Sequence, residues 1–191
     1  MSTAQLSTRS APQSVTERRS AEAQLRTLIA KFAPAAAPAR QRLVGAVRRS
    51  LQKRLPTAQE IVYEYRDCFV VSYSPSERGY EGVLAIRGSA DGVRLYFNQG
   101  KGLPDPEKLL QGSANARWIP VEGASTLARP PVASLIDEAV ARNRVPFART
   151  GRGPVVIRSA AVKPRGTKQS GTKQSGAKQR GAKQPRRRRP A

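Results

Sequence analysis

The sequence predicts an α+β fold, an antiparallel sheet with N- and C-terminal helices packed on one face, followed by a disordered basic tail. Three observations carry this reading. Charge is partitioned: residues 1–50 sum to +7, residues 51–143 to zero and residues 144–191 to +15, within a total of +22. Apolar residues recur at helical spacing before residue 55 and after residue 130, and alternate with a period of two between them. The stretch from Gly166 to Pro190, GTKQSGTKQSGAKQRGAKQPRRRRP, is four near-copies of a pentad followed by four arginines, and no core can be built from it.

Taken in order, residues 1–15 read as disordered, small and polar up to a capping box in which Ser14 precedes Glu17. Leu25, Leu28, Ile29 and Phe32 then fall at i, i+3, i+4 and i+7, so residues 16–38 comprise an amphipathic helix and a Pro/Ala linker, APAAAPA. The folded domain is expected over 39–146. It opens with a helix near 39–54, whose stripe is Leu43, Val44, Val47 and Leu51, and whose Arg42, Arg48, Arg49, Lys53 and Arg54 form a solvated basic face. Pro56 and Thr57 start a further helical turn, with Glu60 completing a capping box.

From Cys68 the period changes to two, and CFVVSYS, GVLAIRG and GVRLYFN read as strands. Asp91-Gly92 is a hairpin signal, because both positions tolerate positive φ. A turn at 91–92 pairs Ala90 with Val93, Gly88 with Leu95 and Ile86 with Phe97. Leu84, Ile86, Val93, Leu95 and Phe97 then share one face, and Arg87, Ser89, Arg94, Tyr96 and Asn98 the other. QGKGLPDPEKLLQGS follows as a loop running into a short helix near 104–111, and ARWIPVE as another strand. The last helix opens after Pro130-Pro131, with Val132, Leu135, Ile136, Ala139 and Val140 on one face, and ends at Asn143 and Pro146.

Several chemistries are excluded or outweighed. Histidine is absent and Cys68 is the single cysteine, which removes intramolecular disulfides, His-assisted catalysis and the usual zinc ligand sets. Asp105-Pro106-Glu107 has the form of a carboxylate pair for acid–base work. The stronger reading is structural: Asp105 caps a helix, Pro106 sits at its first position and Glu107 favours its N-terminal dipole. QGKG lacks the spacing of a phosphate loop, and Ser50-Leu-Gln-Lys53 matches a hydrolase tetrapeptide without its partner motifs. Cys68, beside Asp67 and near Arg66, reads as a structural thiol. Tyr96 and Trp118 would stack on bases in a nucleic-acid binder, though a lone Trp in a strand is more often core or sheet surface. The chain is therefore expected to be non-enzymatic, with no cofactor and no metal site. Without an apolar leader or a membrane-length apolar run, a cytoplasmic protein with no membrane partner is expected.

The segment LYFNQGKGLPDPEKLLQG, Leu95 to Gly112, followed by a strand and a closing helix, resembles the YdhG-like domains of unknown function. The motif positions are Tyr96, Phe97, Asn98, Gly100, Leu103, Asp105 and Pro106, and upstream LPTAQEIVYEY is similar to that family's Pro-x-x-x-Glu helix start. The resemblance implies a frataxin-like α/β sandwich and, for some members, an iron-chaperone role. This sequence departs from that role. Family members often carry His where Asn98-Gln99-Gly100 stands, and the acids of the domain are spread out, Asp105 with Glu107 and Asp137 with Glu138 forming no cluster.

The tail is expected to span 147–191. Lys168, Lys173, Lys178 and Lys183 recur every five residues, which on a helix advances about 140° per step and lines no face. With Lys163, Arg165, Arg180, Arg186, Arg187, Arg188 and Arg189 they form an evenly charged flexible strand suited to phosphates rather than base edges. Nonspecific nucleic-acid binding, DNA foremost, is the expected function, which would place the protein at the nucleoid. The alternatives are a small-ligand or iron-binding module of the frataxin-like type, or a protein adaptor.

Overall fold

The computed structural model describes residues 13–32 and 37–159, all within the first of the two units into which the chain divides, Met1–Ala161. It is a mixed α+β fold in which three helices cover one face of a six-stranded, mostly antiparallel sheet.

Helix α1, Val15–Lys31, starts at the capping box foreseen for it: the Ser14 hydroxyl accepts from the Glu17 N–H, and the Glu17 carboxylate accepts from the Ser14 N–H. Its buried stripe is Ala21, Leu25, Leu28 and Ile29, and it belongs to the same core as the sheet. Each large aliphatic side chain so buried contributes about 1.5–3 kcal/mol, so α1 is part of the domain rather than an appendage ahead of residue 39. Helix α2, Ala37–Arg54, begins inside the expected linker, with Pro38 in the first turn, where a missing N–H costs nothing. Val44, Val47 and Leu51 are buried, and so is Arg48, against the expectation of a solvated basic face.

No helical turn follows at Pro56. The chain reverses through the Ala58 N–H to Leu55 carbonyl bond (3.1 Å) and enters β1, Gln59–Glu64. Ile61 and Val62 favour the pleated backbone, and pairing on both sides of β1 stabilises it more than a capped turn would. Strand β2, Cys68–Ser74, follows; β3, Leu84–Ser89, and β4, Gly92–Phe97, form the hairpin; β5, Arg117–Pro120, closes the meander.

The hairpin register differs from the expected one. Ser89 pairs with Gly92, Gly88 with Val93, Ile86 with Leu95 and Leu84 with Phe97, so Ala90 and Asp91 are the turn. Both keep negative φ, and Gly92 alone takes the positive value, 146°. The slip moves one partner by two residues, which preserves both faces. Leu84, Ile86, Val93, Leu95 and Phe97 point to the helices.

The short helix expected near 104–111 is absent. Lys108 takes φ 53°, which ends any helical run, and Gln111 bridges back to Trp118 beside β5. Asp105 therefore caps no helix and instead closes the turn, its two carboxylate oxygens accepting from the Leu109 and Leu110 N–H groups at 2.9 and 2.7 Å. Helix α3, Pro130–Ala141, opens on its prolines and buries Val132, Leu135 and Ile136.

After α3 the chain contradicts the expectation of an unstructured tail from residue 147. Strand β6, Val155–Ser159, runs parallel to β1, pairing Val155 with Glu60 and Ile157 with Val62, and completes the order β5-β4-β3-β2-β1-β6. Its β-branched run fits the sheet edge, with Val155 buried. Gly153 lets the chain approach: a Cβ there would lie 1.8 Å from the Ala58 carbonyl oxygen. Across the outer edge of β6, the Gln13 side-chain amide donates to the Val155 carbonyl (2.8 Å) and accepts from its N–H (3.0 Å), as a seventh strand would.

Candidate functional site

The most polar part of the interior lies where α1, α2 and β1 meet. Position 48 falls on the stripe of α2 between Val44 and Leu51, so the Arg48 side chain is carried into the core. Its guanidinium holds Glu22 of α1 bidentately, at 2.8 and 3.0 Å, and reaches both oxygens of Glu60 on β1. The Gln52 amide donates to the same Glu60 oxygens at 3.2 and 3.1 Å. Burial lowers the pKa of Arg48, but the bonds from Glu22 and Glu60 outweigh it and hold the group above its usual range. Those bonds likewise hold Glu22 below the usual carboxylate range, against the opposing effect of its burial. Each charge is therefore paired and hydrogen-bonded, the condition under which burial is tolerated.

Beside this cluster stands Tyr73 of β2, fully buried. Burial first, and then the neighbouring Glu60 charge, push its hydroxyl well above the ordinary phenol range. That hydroxyl makes no hydrogen bond of good geometry among the described residues, but the Glu60 and Arg48 side chains lie within reach of it.

Tyr73, Glu60 and Gln52 line a cavity of about 460 Å³ that opens towards solvent between α2 and the segment leading into β6. Four cations surround it: Arg18 from α1, Arg49 and Lys53 from α2, and Arg152. Among the described residues, none of the four lies within ion-pair distance of a carboxylate. Arg18 donates to the Gly153 carbonyl at 2.5 Å, which fixes it at the mouth. Burial, and next the positive charge of Arg152, lower its pKa. Leu55, Pro56 and Ala58 supply an apolar wall. The arrangement favours anions.

The motif positions of the β4–β5 connection serve other ends. Phe97 is core. Tyr96 lies on the opposite sheet face against Trp118, with ring centroids 6.4 Å apart. Asn98 ties its amide to the Gly82 carbonyl. Gly100 permits close approach to β5, since a Cβ there would sit 2.5 Å from that of Arg117. Leu103 packs on the core and lines a smaller cavity of about 220 Å³ with Arg142 and Asn143. Asp105 caps the turn and Pro106 is exposed. Tyr96 and Phe97 end β4 and the other motif residues lie in the connection that follows, and the contacts of Phe97, Asn98, Gly100, Leu103 and Asp105 are structural. Trp118 is similarly committed: Arg94 stacks on its ring at 4.3 Å, and the Gly112 backbone packs at its indole nitrogen.

The carboxylates do not converge either. Asp137 pairs with Arg54 and Glu138 with Arg142, and among the described residues no group of three or more Cys, Asp or Glu could hold a metal ion. No helix among them is long and apolar enough to cross a membrane. The tail positions Lys163, Arg165, Lys168, Lys173, Lys178, Arg180, Lys183 and Arg186 to Arg189 lie outside the described residues.

Sequence reasoning missed the cationic cavity. The buried cluster beside it had one signal, Arg48, which interrupts an apolar stripe at a position that faces inward. Glu22, Glu60, Tyr73 and Arg152 come together only through the tertiary fold. Comparison with protein-family models, curated proteins and solved structures finds no match to this chain.

Proposed function

We propose that the protein is a non-enzymatic, nonspecific nucleic-acid-binding protein, in which a YdhG-like module of frataxin-like type carries cationic flanks that neutralise phosphates. The observation that carries this is the partition of charge: residues 51–143 sum to zero, and no acid follows Glu138, while eleven Lys and Arg lie between Lys163 and Arg189. The basic stretch also begins on the folded body, where Arg144, Arg149, Arg152 and Arg158 are all exposed. Chains of this composition bind through counterion release, which is blind to sequence.

The test uses the full chain and a chain ending at Ala161, which keeps β6, whereas ending at Asn143 would remove it. Each is titrated against two duplexes of unrelated sequence at one fixed salt concentration. The full chain should bind both duplexes equally, and the shortened chain at least tenfold more weakly. Equal affinity of the two chains would overturn the proposal.

A second reading, a small-ligand module of the frataxin-like type, is favoured by the cavity at Tyr73. Its iron-handling form is not, because four cations around the mouth repel a metal ion.

A further inference from the structure

We propose that the cavity between α1, α2 and the start of β6 is a binding site for a phosphate group, free or as the terminal monoester of a small molecule. The inference concerns the folded body and does not depend on the tail.

Four side chains from three separate segments, Arg18, Arg49, Lys53 and Arg152, surround one space, and among the described residues none of them lies within ion-pair distance of a carboxylate. Arg18 and Arg152 repel one another across the opening, and a bound anion relieves that repulsion. The one acid in the lining, Glu60, is engaged by Arg48 and Gln52, and since Arg48 also serves Glu22 that cluster keeps one negative charge against the four cations. A dianion answers several cations better than a single carboxylate, and guanidinium forks match phosphate oxygens bidentately.

Size and lining narrow the ligand further. About 460 Å³ is within the range of small-molecule sites and exceeds the needs of a lone phosphate ion. Leu55, Pro56 and Ala58 would face the remainder of a phosphorylated compound. An apolar or ring-bearing body is what that wall accepts.

The test is calorimetry on the full chain at near-physiological salt, with inorganic phosphate and phenyl phosphate as separate probes. One-site, saturable binding with a submillimolar Kd is expected for at least one probe. If phenyl phosphate binds at least tenfold more tightly, the ligand is an esterified phosphate; if both bind alike, it is the free ion. Arg18→Gln with Arg152→Gln should weaken binding at least tenfold. Arg49→Gln with Lys53→Gln, on the exposed side of α2, should weaken it similarly and guards against loss of fold in the first pair.

A third variant, Lys168→Gln with Lys173→Gln and Lys178→Gln, should leave phosphate binding unchanged while weakening duplex binding. That separates failure here from failure of the nucleic-acid reading. The absence of saturable binding by both probes, or loss confined to the tail variant, would overturn the proposal.

Discussion

Arg48 joins three elements through one guanidinium, and its removal would leave two carboxylates in the interior without a counter-charge. Arg48→Met should therefore cost about 3–5 kcal/mol of stability in urea unfolding, the usual penalty for breaking a buried pair. Exchanging Arg48, Glu22 and Glu60 together for apolar residues of matching volume should restore much of it. A single substitution without measurable cost would show that the cluster is not a structural tie.

Acid should loosen the same contact. The folded-state pKa of Glu22 lies below its unfolded value of about 4.3, so its contribution is present above that pH and is lost as pH falls through the lower folded value. The difference in melting temperature between wild type and Glu22→Gln should thus be largest near neutrality and shrink below about pH 4. A difference independent of pH would contradict the assignment. The cluster was illegible in the sequence because charge argued for solvent, while the periodicity argued for burial. The deciding partners lie 26 and 12 residues from Arg48.

At the scale of elements, β6 is held by a close approach that only glycine allows. Gly153→Ala places a methyl group against the Ala58 carbonyl, and the strand cannot keep its register with β1. Amide exchange along β6 should accelerate at least tenfold in this variant, with β3 and β4 unaffected. Unchanged protection at Val156 and Ile157 would show that the approach is not needed. Strands β2, β3 and β4 were legible because one face meets helices and the other does not, which writes a period of two into the chain. β1 was not, since the adjacent Ile61 and Val62 break the alternation and follow a helix-like Pro-Thr-x-x-Glu. The hairpin register escaped for a different reason: a slip of two residues keeps every side chain on its face, and the choice rests on turn geometry at Gly92. β6 was hidden by the basic run around it, five residues of sheet within a stretch whose charge pointed to solvent.

At the scale of the whole molecule, residues 13–159 sum to +10 around a neutral middle at 51–143, and the eleven cations from Lys163 to Arg189 carry a further +11 without an acid among them. The body was largely visible in the sequence, as was the charge of the flanks. The border between them was not, and it falls beyond Ser159 rather than at 147. The division predicts where the salt dependence of polyanion binding resides. The decisive measurement is the slope of log K against log salt for a DNA duplex, taken on the full chain and on the chain ending at Ala161. If about eight of the eleven distal cations engage phosphates, the full chain should show a slope of about −7, with a much shallower one after truncation. Identical slopes for the two chains would contradict the account.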